Sequence, residues 1–323
     1  RNYLFLNFIV LTGYLFLYPI ITKKILPSDY GNYIFAHSIA LIVVGISSLG
    51  LKVGYKRNFF ELYKKKRESE ILLFTVQIFA LLVFSIVFII NKIFEKNIIS
   101  NFGGINNIEN FWSLLILALM FDSISKYYLI FLENKLNSKK YFLIIVTKNL
   151  IYFSCIFLLL FKNYGVKSLL YSLFIANSAI LIFVILSQIK NSTFHFNKKY
   201  ILFILKISIP NTPKILFGQI NSKIDKILIG SISTFSNVGI YTIAQSMSYI
   251  IFQITTSVDK VFITKTNKML FNNENSKIGP YLTSFIYFCS IPAIGLILFN
   301  DIFLHIIIDE KYHGSENVII ILS

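Results

Sequence analysis

Seven ionisable residues stand inside otherwise apolar stretches of this sequence: Asp122, Lys126, Lys148, Lys214, Lys223, Asp225 and Lys226. A charge in an apolar medium costs roughly 2.5–3.5 kcal/mol on insertion scales, which makes each one a candidate for binding or coupling. Lysines in that setting suit an anion: a phosphate supplies the counter-charge that the surroundings lack, and burial strengthens the attraction. Carboxylates suit a proton or a small cation. Other chemistry finds no residues to carry it. There is no G-x-x-x-x-G-K-[ST] loop and no G-x-G-x-x-G fingerprint. His37, His195, His305 and His313 lack metal-ligand spacing, and Cys155 and Cys289 lie in apolar runs. The sequence therefore predicts no catalytic residue, no metal, no cofactor and no ATP hydrolysis, so that any transport is secondary.

The elements that position these residues are long and apolar. Of 323 residues, 55% are hydrophobic and only 14% charged, against roughly 25% charged in a soluble protein. Mean hydropathy is +0.69. This excludes a disordered chain and argues against a soluble enzyme. A crossing needs about 20 apolar residues. Spans are expected over 3–21, 33–51, 71–90, 111–131, 141–161, 168–189, 207–229, 238–258 and 281–299, with a tenth starting near Val318. The expected fold is all-α and polytopic, without an extramembrane domain between the spans. The net charge of +16 would suit nucleic acid, but no soluble segment is left to carry such a function.

Lysine and arginine bias gives orientation. Connections after even-numbered spans hold 18 Lys and Arg, and those after odd-numbered spans hold 7. The even connections and the N-terminus are thus expected on the cytoplasmic side. Segment 52–70, with Arg57, Lys64, Lys65, Lys66 and Arg67 beside Phe59, Phe60 and Tyr63, reads as an interfacial amphipathic helix on anionic lipid or as a plain topology anchor.

Depth follows at about 1.5 Å per residue. Asp122 falls near mid-membrane, with Lys126 about 8 Å from the cytoplasmic edge and Lys148 and Lys214 each roughly 10 Å deep. Lys126, Lys148 and Lys214 thereby share one layer on three helices and are the expected substrate-binding set; the alternative is snorkelling to the interface. Asp122 and Asp225 are ion-coupling candidates or members of structural pairs, since Asp122 and Lys126 lie four apart on one helix face. Lys223, Asp225 and Lys226 are expected near the outer end of span seven, as a charge cluster or an interfacial anchor. Pro210 and Pro213 predict a break at the start of that span.

An internal repeat joins the two ends of the chain. Gly31-x-Tyr33-x-x-Ala36-x-Ser38 opens span two, and Gly239-x-Tyr241-x-x-Ala244-x-Ser246 opens span eight, 208 residues later. An offset of six spans gives both copies one orientation, as in a parallel transporter repeat. Small residues there also suit close helix packing. The chain divides accordingly into a first lobe, 1–190, and a second, 191–323, with two further spans expected beyond Ser323.

Ile25-Leu26-Pro27-Ser28-Asp29-Tyr30-Gly31-Asn32-Tyr33, Ser48-Leu49-Gly50-Leu51, Tyr55-Lys56-Arg57, Asp225-Lys226, Asn237-Val238-Gly239-Ile240-Tyr241-x-x-Ala244 and Asp309-Glu310-Lys311-Tyr312 resemble stretches of the Wzx-type polysaccharide biosynthesis (O-antigen and capsule) flippases of the MOP superfamily. Lys226 stands where that family often has Arg, a point charge in place of a bidentate fork. The resemblance implies two six-helix lobes around a central cavity in the bacterial inner membrane. It implies translocation of an undecaprenyl-pyrophosphate-linked oligosaccharide to the outer leaflet, in a pathway that includes a polymerase. Two other readings stand beside it. A multispan polymerase or ligase resembles its own class by a large outer loop with polar catalytic residues, which segment 91–110 does not supply. A MATE-like small-molecule antiporter favours acidic cavities for cationic drugs, whereas the buried lysines here favour an anion.

Overall fold

The computed structural model describes residues 2–62, 66–101, 109–189, 195–271, 275–298 and 308–322. It is helical throughout, with no strand among the described residues. The helices are α1 (Asn2–Lys24), α2 (Pro27–Ser47), α3 (Leu51–Leu62), α4 (Lys66–Asn101), α5 (Glu109–Asn134), α6 (Ser138–Phe161), α7 (Lys167–Ile189), α8 (Lys198–Asn221), α9 (Ile224–Ile232), α10 (Phe235–Phe271), α11 (Asn275–Leu298), a 3-10 turn (Glu310–Ser315) and α12 (Glu316–Leu322). Among the described residues, six helical stretches are long and apolar enough to cross a membrane: Pro27–Ser47, Arg67–Lys96, Phe111–Asn134, Ser138–Phe161, Lys167–Ile189 and Lys198–Asn221. The protein is a multi-pass membrane protein.

Local chemistry fixes the element ends. Pro27 opens α2, where its missing N–H costs nothing. The Asn137 side chain accepts from the Lys140 N–H at 3.2 Å and caps α6, and Asn197 does the same for α8 through Lys199. Leu49 and Gly50, both at positive φ, turn the chain from α2 into α3. At 36 and 37 residues, α4 and α10 are each about 55 Å long, well beyond a ~30 Å apolar core. The ladder thus runs on from span eight to Phe271, through ground expected to be a loop, and α4 likewise enters 91–110.

Helix α5 is central: 61% of its apolar window is buried, against 17% for α6. It packs on α2, α4, α6 and α7, and α6 in turn packs on α1 and α7. Helices α8–α10 join this bundle chiefly through α2 and α3. Helix α3 forms where an amphipathic helix is expected, and one face of it packs into the bundle. Leu51, Tyr55 and Phe59 are buried while Phe60 is exposed, and a Cβ on Gly54 would run into Ser208 and Ile204 of α8. Tyr63, Lys64 and Lys65 lie outside the described residues.

The two motif glycines face each other. A Cβ on Gly31 would overlap the Phe235 carbonyl oxygen, and one on Gly239 would overlap that of Pro27. Each glycine thus receives the carbonyl four residues before its counterpart. Ser38 donates to the Ile34 carbonyl at 2.8 Å and Ser246 to that of Thr242 at 2.7 Å, the same bond in both copies. The Asp309–Tyr312 motif docks on the turn between α1 and α2: the Tyr312 hydroxyl donates to the Ile25 carbonyl at 3.2 Å, and the Asp309 N–H donates to Thr22 Oγ1 at 3.2 Å.

The seventh span departs from expectation. Pro210 and Pro213 sit inside a continuous α8. Next to them Asn211 donates to the Ile207 carbonyl at 2.8 Å and Thr212 to that of Ser208 at 3.0 Å, so local side chains serve carbonyls of the proline turn. The break falls later, at Ser222 and Lys223, between α8 and α9.

Candidate functional site

An open cavity of about 580 Å³ is lined by α1, α2, α3, α5, α6 and α7. Its charged lining is Lys52, Asp122, Lys126, Glu133 and Lys148. Asp122 comes from the middle of α5. Its Oδ2 accepts from Lys126 Nζ at 2.5 Å, one turn along the same helix, and its Oδ1 accepts from Lys148 of α6. One carboxylate therefore holds two ammonium groups, leaving a net positive set before Lys52 is counted. The Asp122, Lys148 and Lys126 side chains are 15%, 27% and 48% exposed, so the anion is the most buried of the three. Lys52, at the start of α3, faces the same space. Burial, and then nearby Lys126, pull its ammonium down to about 8, while Asp122 acts in the opposite sense.

The structure brings Lys126 and Lys148 together and does not bring Lys214 to them. Lys214 is exposed on α8 and does not line this cavity. Its expected depth was counted from Ile207, but α8 begins at Lys198 and its first half runs beside α3, with Gly50 and Gly54 set against Ser208. Lys52 supplies the third cation instead. It reads in sequence as part of a basic loop; the signal that could have found it is the short helix-to-helix turn at Leu49–Gly50, which turns α3 onto α5 and α8.

The second charge set is Asp225, Lys226 and Lys223 at the α8–α9 break. Asp225 accepts from its neighbour's N–H at 2.8 Å, from the Tyr241 hydroxyl at 2.8 Å and from Gln245 Nε2 at 2.9 Å. Lys226 is buried and donates to Gln245 Oε1. Tyr241 belongs to the repeated motif and Gln245 follows its alanine, so both were in view without a partner. Helix α2 serves as a ruler for height. Gly45 meets Gln219, Gly230 meets Phe35, and Gly31 meets Phe235. Residues 225 and 226 therefore lie level with the middle of α2, not near one end of the span as expected. His37 of α2 is within electrostatic reach of Asp122 on one side and of Lys223 and Lys226 on the other, and so links the two sets. Among the described residues, no group of three His, Cys, Asp or Glu is placed to hold a metal.

A family model described as polysaccharide biosynthesis protein matches residues 20–317. No curated protein matches the sequence. Among solved structures, the chain is similar to the lipid II flippase MurJ in its inward closed conformation, with a TM-score of 0.74 at 20% identity, over 98% of this chain and 70% of that one. It is also similar to the Vibrio cholerae MATE transporter VcmN, at TM-score 0.67 and 12% identity over 99% and 77%, and to an inward-facing multidrug resistance MATE transporter of the MOP superfamily, at 0.63 and 13% over 96% and 75%. At these identities the likeness is one of fold.

Proposed function

Because the chain belongs to the polysaccharide biosynthesis protein family, we propose that it is a flippase, moving an undecaprenyl-pyrophosphate-linked oligosaccharide from the cytoplasmic to the outer leaflet of the bacterial inner membrane. The observation that carries this reading is the cavity in which Asp122 holds Lys126 and Lys148, with Lys52 beside them, so that three lysines face two carboxylates, Asp122 and Glu133. Such a site wants a multiply charged anion: a pyrophosphate can take the exposed faces of the lysines while Asp122 keeps them in place. A cationic drug, the cargo a MATE-like antiporter would carry, meets a net positive wall here and an acid already engaged by two ammonium groups. Lys is apt because its point charge can be released as the surroundings change, where a bidentate Arg would hold.

In this reading the N-terminus is cytoplasmic and segments 1–190 and 191–323 act as two lobes that rock about the α2–α10 contact. A polymerase of the same pathway would receive the product. Lys214, at the edge of α8, would meet the headgroup only on its way in or out. The test is surface glycan in cells that depend on this protein. Lys148→Gln should abolish it at unchanged protein level, with lipid-linked glycan held on the cytoplasmic side, and Lys148→Arg should keep part of it. Full surface glycan in Lys148→Gln would overturn the proposal.

A further inference from the structure

The cavity has a second end of different chemistry. Tyr14 and Tyr18 of α1, Tyr30 and Tyr33 of α2, and Tyr152 of α6 line it. Three helices agree on where they lie. Tyr30 and Tyr33 occupy the first two turns of α2, while Lys52 follows its far end. Tyr152 lies one turn beyond Lys148 on α6, away from its start at Ser138, and Tyr14 and Tyr18 fall in the later half of α1. The tyrosine end and the lysine end are therefore opposite ends of one space.

The tyrosines lie near one another, the Tyr14 and Tyr18 ring centroids 6.2 Å apart. The Tyr152 hydroxyl is in electrostatic contact with those of Tyr33, Tyr14, Tyr30 and Tyr18, and that of Tyr30 with Tyr18, Tyr33 and Tyr14. Tyr18 lies beside Ser246 of α10, whose own hydroxyl is given to the Thr242 carbonyl. A separate observation points the same way. Asn177 of α7 lines the cavity and is buried; its Nδ2 donates to the Ala118 carbonyl at 2.9 Å, while its Oδ1 has no partner. Buried polar groups are normally hydrogen-bonded, so this end is short of uncharged donors and acceptors. No cation lines it. What it offers is flat apolar rings that carry polar tips.

We propose that this tyrosine end, with Asn177, is a saccharide subsite: it takes the first uncharged sugars of the cargo while the lysine end takes the phosphates. A pyranose matches it on both counts, with C–H faces for the rings and hydroxyls for the tyrosine tips and the unpartnered Asn177 oxygen. The proposal rests on the flippase reading and adds an orientation, glycan towards the start of α2 and pyrophosphate towards Lys52. It makes the protein a reader of the glycan as well as of the lipid phosphate.

The experiment measures binding of two probes to the purified full chain in nanodiscs: undecaprenyl pyrophosphate alone, and the same lipid carrying a neutral disaccharide. Wild type should bind the glycosylated probe more tightly. Tyr33→Phe and Tyr152→Phe keep the rings and remove a hydroxyl each. They should weaken the glycosylated probe by a few-fold to about tenfold per hydroxyl and leave the bare lipid unchanged. Lys148→Gln should weaken both probes. Asn177→Leu is the second variant, should the tyrosine changes lower protein yield, with the same split expected. Equal weakening of both probes by the Phe variants, or no effect on either, overturns the subsite and leaves the flippase standing. A wild type that binds neither probe overturns the flippase reading itself.

Discussion

Replacing Asp122 with Asn leaves Lys126 and Lys148 facing each other across a buried space without the carboxylate that now joins them. Removing one partner of a buried ion pair costs roughly 3–5 kcal/mol, and the half-exposed Lys126 reduces that. We expect Asp122→Asn to lower stability by about 2 kcal/mol in a thermal melt, and Asp122→Asn with Lys148→Gln to recover part of the loss, as a double-mutant cycle should read for coupled residues. No recovery in the double variant would place the cost elsewhere. Lys52 gives a pH prediction. Its ammonium is held at about 8, below the ordinary 10.5, so the folded chain sheds this proton first. Between those two values the unfolded state binds more protons, and stability rises with pH there. Anion binding moves the other way: it should weaken as pH climbs through about 8. Lys52→Arg, which stays charged, should flatten the binding profile; an unchanged profile would exclude Lys52 from the site.

At the scale of the element, much was legible and the errors have physical causes. Apolar length marks the spans, and the spacing of Asp122 and Lys126 gives their pairing, because both are local signals. What failed was register. Counting from the first apolar residue misplaces Lys214 and Asp225, because α8 starts earlier and leans on α3, which only tertiary packing decides. Prolines implied a break at 210–213, yet the helix tolerates both and opens at Ser222. The partner of Asp122 on α6 and those of Asp225 on α10 lie far along the chain, beyond any spacing rule. The element most exposed to a test is the α2–α10 crossing. Gly31→Ala must push a methyl into the Phe235 carbonyl, and backbone cannot give as a side chain can. We expect a loss of about 3 kcal/mol. Gly218→Ala, in α8 with open space around it, should be neutral or gain up to about 1 kcal/mol in helix propensity. Equal melts for the two variants would show that the crossing is looser than described.

For the whole molecule, orientation is the expectation to check. Cysteines at Lys139 and Lys198 should resist an impermeant thiol reagent on intact cells, and one at Asn163 should react, since basic connections stay inside. Fast labelling at Lys139 would invert the topology and, with it, the direction of transport.

The Gly31–Gly239 contact also makes the molecule its own gauge. Two copies of one motif meet through bare main chain, with the Phe35 and Phe235 rings packed edge to face beside the join, 5.4 Å apart. If the proposed lobes part during transport, this contact opens together with those that α8 makes on α2 and α3. Spin labels on Ser28 and Asn237, exposed residues on the adjoining turns, should therefore read the state of the join directly: a short distance while the glycines touch and a longer one once they part.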